Sequence, residues 1–237
     1  MKRQDIRIEG IPSVIWGEGS EGVIVAVHGN MSNKADVPVV MLADKAVPEG
    51  YQVLSFDLPE HGDRKGEGTP CKVQNCVRDL TTVMEYARTK WREIGLFANS
   101  MGAYFSLLAY QNEELSRCLF LSPVVDMEHI IDGMMRISGV TPGELEEKGQ
   151  IATASGQMLY WDYYRYVKEN PVQRWNAPTC ILYGEDDDMC ESELVAEFAR
   201  RFDCEMDIVE NGEHYFHTPE QLCAYESWLG RKLSARR

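Results

Sequence analysis

No run of about 18 consecutive apolar residues occurs in the sequence, so no transmembrane helix is expected. Basic residues are few beside acidic ones: 24 Lys and Arg against 38 Asp and Glu, a formal net charge of −14. That balance speaks against the basic face of a nucleic-acid binder and against docking on an anionic membrane. CxxC spacing is absent. The cysteines, at Cys71, Cys76, Cys118, Cys180, Cys190, Cys204 and Cys223, are odd in number, and the Cys71/Cys76 pair has no matching ligand pair elsewhere. Neither a disulfide framework nor a zinc site is expected; reduced thiols in a cytoplasmic setting are. Residues 1–10 carry charges throughout and lack an apolar stretch, so no signal peptide is expected. There is no repeat and no low-complexity tract. What the chain does have is apolar content: 44% hydrophobic over 237 residues, enough for one large domain with a sizeable core rather than disorder.

The apolar pattern alternates between two periods. Residues 5–9 and 12–16 read as short strands around Gly10. Residues 23–27 (VIVAV), 52–56 (QVLSF) and 94–98 (IGLFA) read as buried strands, and 118–121, 179–183 and 204–209 as further strands. Helices are predicted over 37–47, 73–91, 101–111, 191–202 and 218–233. The second places Val73, Cys76, Val77, Leu80, Val83, Met84 and Ala87 on one face. Strands alternating with helices predict an α/β fold: a mostly parallel sheet of about eight strands, the first two antiparallel, with helices on both faces.

Residues 126–175 lie between two core strands and are too long for an ordinary connection. Their helical patterns, with Tyr160, Trp161, Tyr163, Tyr164 and Tyr166, predict a lid insertion, leaving 1–125 and 176–237 as the core. Met134, Met135 and Met158 with these aromatics fit an apolar substrate lining. They fit ordinary packing of the insertion equally well. Arg231, Lys232, Arg236 and Arg237 read as favourable charge at a helix C-terminus.

The most informative stretch runs from the strand at 94–98 into Ala98-Asn99-Ser100-Met101-Gly102 and then a helix. This is the G-x-S-x-G nucleophile turn with Ala in place of the first Gly. Small residues flank the serine because larger side chains there would strike neighbouring strands or the helix backbone. Ser100 is expected in strained φ/ψ, its Oγ raised at the carboxyl end of the sheet. The Met101 N–H, at the helix N-terminus, would then face developing negative charge. The plainer reading makes Ser100 a helix cap.

Four other segments occur in a telling order: His28-Gly29-Asn30, Asp57-Leu58-Pro59-Glu60-His61-Gly62, Leu182-Tyr183-Gly184-Glu185-Asp186-Asp187, and Gly212-Glu213-His214-Tyr215-Phe216. With the turn at Ser100 they make the chain resemble a serine hydrolase of the α/β-hydrolase superfamily over nearly its whole length. The first resembles the HGx oxyanion segment. The second resembles the D-x-P-G-H-G loop, with Glu60 where Gly is usual. The third and fourth resemble the segments bearing the acid and the histidine. Dehalogenase-like relatives share HGN but need an aspartate where this chain has Ser100.

A serine hydroxyl needs an adjacent base. His214 follows the last strand and a turn, which returns it to the sheet's carboxyl end; His217, three residues on, is the rival. A metal reading of the two lacks a third ligand. His28 and His61 read as loop-shaping residues, and His129 lies in the insertion. The family pattern places the acid three residues after Gly184, which selects Asp187; Asp186, Asp188 and Asp126 remain alternatives. The order Ser100, Asp187, His214 is that of the hydrolases. The backbone N–H groups of Met101 and Asn30 are assigned to the oxyanion, with the Asn30 side chain as an alternative. The expected activity is hydrolysis of a carboxylic ester or thioester through an acyl-enzyme, on a small-molecule acyl substrate, with no metal or organic cofactor. Acyl transfer, peptide hydrolysis and C–C hydrolysis would use the same triad. A binding protein without turnover is the alternative from another class.

Overall fold

A computed structural model describes residues 1–154 and 156–234; Ser155, within the stretch 126–175, and Arg236 and Arg237 lie outside the described residues. The strand VIVAV shows how the two layers arise. In β3 (Gly22–Val27), Val23, Val25 and Val27 join one apolar cluster, while Ile24 and Ala26 join the other. A strand buried on both faces must be apolar at every position, because successive side chains point to opposite sides.

With β3, the main sheet contains β1 (Arg3–Ile8), β2 (Ile11–Trp16), β4 (Tyr51–Phe56), β5 (Glu93–Asn99), β6 (Cys118–Leu121), β9 (Thr179–Gly184) and β10 (Glu205–Val209). Its order is β1-β2-β4-β3-β5-β6-β9-β10. β2 runs antiparallel to both β1 and β4, and every other neighbour is parallel. These are the eight strands read from the sequence.

Helices α1 (Val37–Ala46) and α8 (Pro219–Ser234) cover one face, where Leu42 and Ala43 meet Trp228 and Leu229 against Ile24. Pro38 stands in the first turn of α1, where its missing N–H has no intrahelical partner to lose. On the other face lie α2 (Val73–Lys90), α3 (Met101–Ala109) and α7 (Ser192–Arg201), with Leu80, Val83, Phe105, Val195 and Phe198 in one cluster.

Residues 126–175 carry α4 (Met127–Ser138), α5 (Pro142–Lys148) and α6 (Trp161–Glu169). They also carry an antiparallel pair not expected from the sequence, β7 (Gln150–Ala152) with β8 (Met158–Tyr160). Three-residue strands are too short to show a period. Met135, Leu145, Leu159 and Tyr164 are buried in the same cluster as α2 and α3, so these side chains pack residues 126–175 onto those helices. Lys72 Nζ pairs with Asp162 at 2.9 Å and lies 4.2 Å from the centre of the Tyr160 ring, tying α2 to α6. Among the described residues no helix is long and apolar enough to cross a membrane.

Candidate active site

β5 ends at Asn99 and α3 begins at Met101, so one residue makes the whole turn. Ser100 takes φ 52°, ψ −124°, a strained conformation that costs about 1–3 kcal/mol. The turn is held from β6: Ser100 N–H donates to Leu121 O at 3.0 Å, and Val124 N–H donates to Ser100 O at 3.1 Å. At Gly102 an added Cβ would stand 2.5 Å from His28 O and 2.8 Å from Val27 O, so no side chain fits. Ala98, where the usual pattern has glycine, is fully buried, and its one methyl is accommodated. Ser100 makes no side-chain cap to α3; its hydroxyl is turned elsewhere.

That hydroxyl meets His214 Nε2 at 2.8 Å, and His214 Nδ1 meets Asp187 Oδ2 at 2.8 Å. The loops after β9 and β10 come together because glycines face each other at their crossing. A Cβ at Gly212 would stand 2.9 Å from Gly184 Cα, and one at Gly184 would collide with Gly212 O. Asp186 N–H donates to Gly212 O at 2.8 Å and pins the crossing. The Asp187 side chain is wholly buried, and its Oδ1 accepts the N–H groups of Met189 and Cys190, both at 2.9 Å. A carboxylate only accepts, so His214 Nδ1 carries the proton and Nε2 is free to accept from Ser100.

The other candidates lie apart from this line. Asp186 and Asp188 are exposed. Asp126 caps α4, accepting the His129 N–H at 3.0 Å. His217 donates to Tyr215 O and stacks on the Tyr215 ring; His129 contacts Glu191.

The segment around Asn30 passes beside the turn: a Cβ at Gly29 would lie 3.0 Å from Ser100 Cβ. Two histidines set its course. His28 Nε2 accepts Leu58 N–H at 3.0 Å, so its Nδ1 carries the proton donated to Gly29 O at 2.7 Å. His61 Nε2 accepts Met31 N–H at 3.1 Å while Nδ1 contacts Pro59 O at 2.8 Å. The Asn30 side chain reaches the His61 ring, 3.3 Å from Oδ1 to Nε2. Below them Lys34 Nζ pairs with the buried Asp57 at 2.6 Å. Sequence reasoning missed Lys34 and the two N–H donors that hold Asp187. The one available signal was Asp57 itself, since a carboxylate at the end of a buried strand needs a cation.

His28 carries a pH prediction. Burial pushes its imidazole down to about 4, from 6.5. The folded chain keeps it neutral, because protonation would remove the acceptor of Leu58 N–H. Between pH 6.5 and about 4 the unfolded chain therefore binds the extra proton. Stability is full above that window and falls on acidification, by about 3 kcal/mol across it. Urea unfolding at pH 7 and pH 4.5 should show a larger acid loss for wild type than for His28→Gln; equal losses would refute the assignment.

Asp187, Cys190 and His214 bring a carboxylate oxygen, a thiol and a ring nitrogen within 4.8 Å of one another. As a metal site the set fits poorly. Both Asp187 oxygens already accept hydrogen bonds, and burial, with Asp187 nearby, pushes the Cys190 thiol up to about 12, leaving neutral sulfur.

Among curated proteins none matches the chain. Among solved structures, Est1E from Butyrivibrio proteoclasticus, with ferulic acid bound, superposes with a TM-score of 0.80 at 16% identity, covering 97% of each chain. Alpha/beta hydrolase domain-containing protein 10 from mouse gives 0.78 at 15% identity, covering 98% of each. An esterase from Pyrococcus furiosus gives 0.69 at 19% identity, covering 98% of this chain and 89% of that one. At these identities the likeness is one of fold. In sequence, residues 18–159, more than half of the chain, match the family described as serine aminopeptidase, S33. The chain therefore belongs to the S33 serine aminopeptidase family, within the α/β-hydrolase superfamily of serine hydrolases.

Proposed function

We propose that this hydrolase cleaves carboxylic esters or thioesters of small molecules through an acyl-enzyme on Ser100. The observation that carries the reading is the unbroken line Ser100 Oγ, His214, Asp187, with 2.8 Å at each link. Ser100 Oγ attacks the acyl carbon while His214 Nε2 takes its proton. Asp187 holds the imidazole in the needed tautomer and stabilises the imidazolium. The carbonyl oxygen, now negative, meets the N–H of Met101, which has no partner within its own helix, and the N–H of Asn30. The leaving alcohol or thiol takes the proton from Nε2, and water repeats the sequence to release the acid. No step calls for a metal or organic cofactor.

Exposed apolar side chains adjoin all three segments of the site: Met31 beside Asn30, Met189 two residues after Asp187, and Tyr215 beside His214. They favour an apolar acyl or alcohol group. In this reading the 126–175 insertion is a lid that limits substrate size. Est1E has been solved with ferulic acid, so esters of aromatic acids belong in the first panel. Peptide hydrolysis is the second reading, favoured by the description of the family.

A fluorophosphonate probe is expected to add one equivalent at Ser100. p-Nitrophenyl esters should give a burst of one equivalent, whereas aminoacyl p-nitroanilides should turn over far more slowly. Faster turnover of the anilides would shift the reading to a peptidase. Failure of the probe to label the folded protein would favour a binding protein.

A further inference from the structure

Two thiols that do not serve the triad meet at the start of α2: Cys71 Sγ lies 3.6 Å from Cys76 Sγ. The helix brings them together. Side chains on a helix lean toward its N-terminus, so Cys76, in the first turn, reaches back to Cys71, which precedes the cap at Lys72. Cys71 is half-buried and Cys76 fully buried.

The loop that carries His61 holds the first of them. The His61 ring accepts Met31 N–H beside Asn30. Glu60, which takes the place of the usual glycine in this loop, accepts Cys71 N–H at 2.6 Å. The hydrogen bond from Cys76, and next to it His61, draw the Cys71 thiol below its ordinary range against the effect of burial. Burial, with Cys71 beside it, pushes the Cys76 thiol well up. The pair is thus unequal: a reachable sulfur with thiolate character, and a protonated partner in contact with it.

We propose that Cys71 and Cys76 form a dithiol oxidised by hydrogen peroxide, and that the disulfide weakens the hold of His61 on the segment around Asn30. The Cys71 thiolate attacks peroxide: an S–O bond forms, the O–O bond breaks, and hydroxide leaves. Cys76 sulfur then attacks the sulfenic sulfur: the S–S bond forms, the S–O bond breaks, and the Cys76 proton leaves with the oxygen as water. Two electrons pass from the thiols to one peroxide, giving two waters in all. The sulfurs must close by about 1.5 Å to reach disulfide length, which pulls on the bond from Cys71 N–H to Glu60 and so on the neighbouring His61. The effect on activity rests on the ester-hydrolase reading; the thiol chemistry does not.

The test treats reduced protein with hydrogen peroxide and maps tryptic peptides without reduction. Trypsin cuts after Lys65, Lys72 and Arg78, so peptides 66–72 and 73–78 separate unless the disulfide joins them. Wild type should yield the joined peptide. Its kcat on a p-nitrophenyl ester should fall about three- to tenfold, a fraction of the effect of losing an oxyanion donor outright, with KM little changed and dithiothreitol restoring the rate. Cys76→Ser should show neither change. Cys71→Ser, at a half-buried position, provides the same control where the buried substitution impairs folding. The proposal is overturned if peroxide that fully oxidises the exposed Cys223 leaves peptides 66–72 and 73–78 separate, or if they join while kcat stays the same. Absence of ester turnover before oxidation would count against the ester-hydrolase reading alone, since the peptide map reports on the thiols without it.

Discussion

Ser100→Ala is expected to lower kcat/KM on p-nitrophenyl esters by about 10⁴- to 10⁶-fold, the scale seen when a serine nucleophile is removed. The substitution deletes one oxygen and leaves the turn otherwise as it is. The backbone bonds to Leu121 and Val124 do not involve the side chain, and alanine meets the same φ of 52° as serine. Thermal unfolding should therefore shift little, which separates loss of chemistry from loss of fold. What remains would reflect the N–H groups of Met101 and Asn30 acting on bound ester with water as nucleophile. Turnover equal to wild type would remove Ser100 from the mechanism and the ester-hydrolase reading with it.

Asp187→Asn is the second large effect, about 10⁴-fold in kcat with KM changed little. The substitution is nearly isosteric, and the amide oxygen can keep the N–H bonds from Met189 and Cys190. Its NH₂ then faces His214 Nδ1, which must become the acceptor. The ring proton moves to Nε2, opposite Ser100 Oγ, and the base can no longer take the serine proton. Asp187→Ala is the contrasting variant. It leaves the N–H groups of Met189 and Cys190 without their acceptor, so it should lose stability as well, by roughly 1–3 kcal/mol, mainly from Cys190, since Met189 is exposed to water. Steady-state kinetics with urea unfolding of both variants separates tautomer control from support of the loop. A loss under tenfold for Asp187→Asn would mean that another carboxylate orients His214.

Much of this architecture was readable because the signals are local. A strand buried on both faces must be apolar throughout, as VIVAV is; a helix packed on a sheet must repeat its apolar residues, as Val73 to Ala87 do. The turn at Ser100 is also local: it needs almost no side chain at 98 and none at 102, and those demands appear as Ala and Gly in a five-residue window. The run of acids after Gly184 is the opposite case. Asp186, Asp187 and Asp188 are chemically alike, and only resemblance to relatives separated them beforehand. In the fold, the crossing of Gly184 and Gly212 leaves one carboxylate wholly buried against His214 and turns its neighbours to the surface. Asp126 carries no mark that distinguishes a helix cap from a triad acid, and the structure makes it the cap of α4.

The sequence by itself determined the periodicities, the eight strands of the main sheet and the turn that strains Ser100, because each depends on residues within a few positions of one another. Tertiary structure alone decided which carboxylate meets His214 and that Lys34 lies under Asp57. Those are contacts between loops from separate strands, and their distances depend on how the sheet aligns its strand ends, which no local pattern of residue types records.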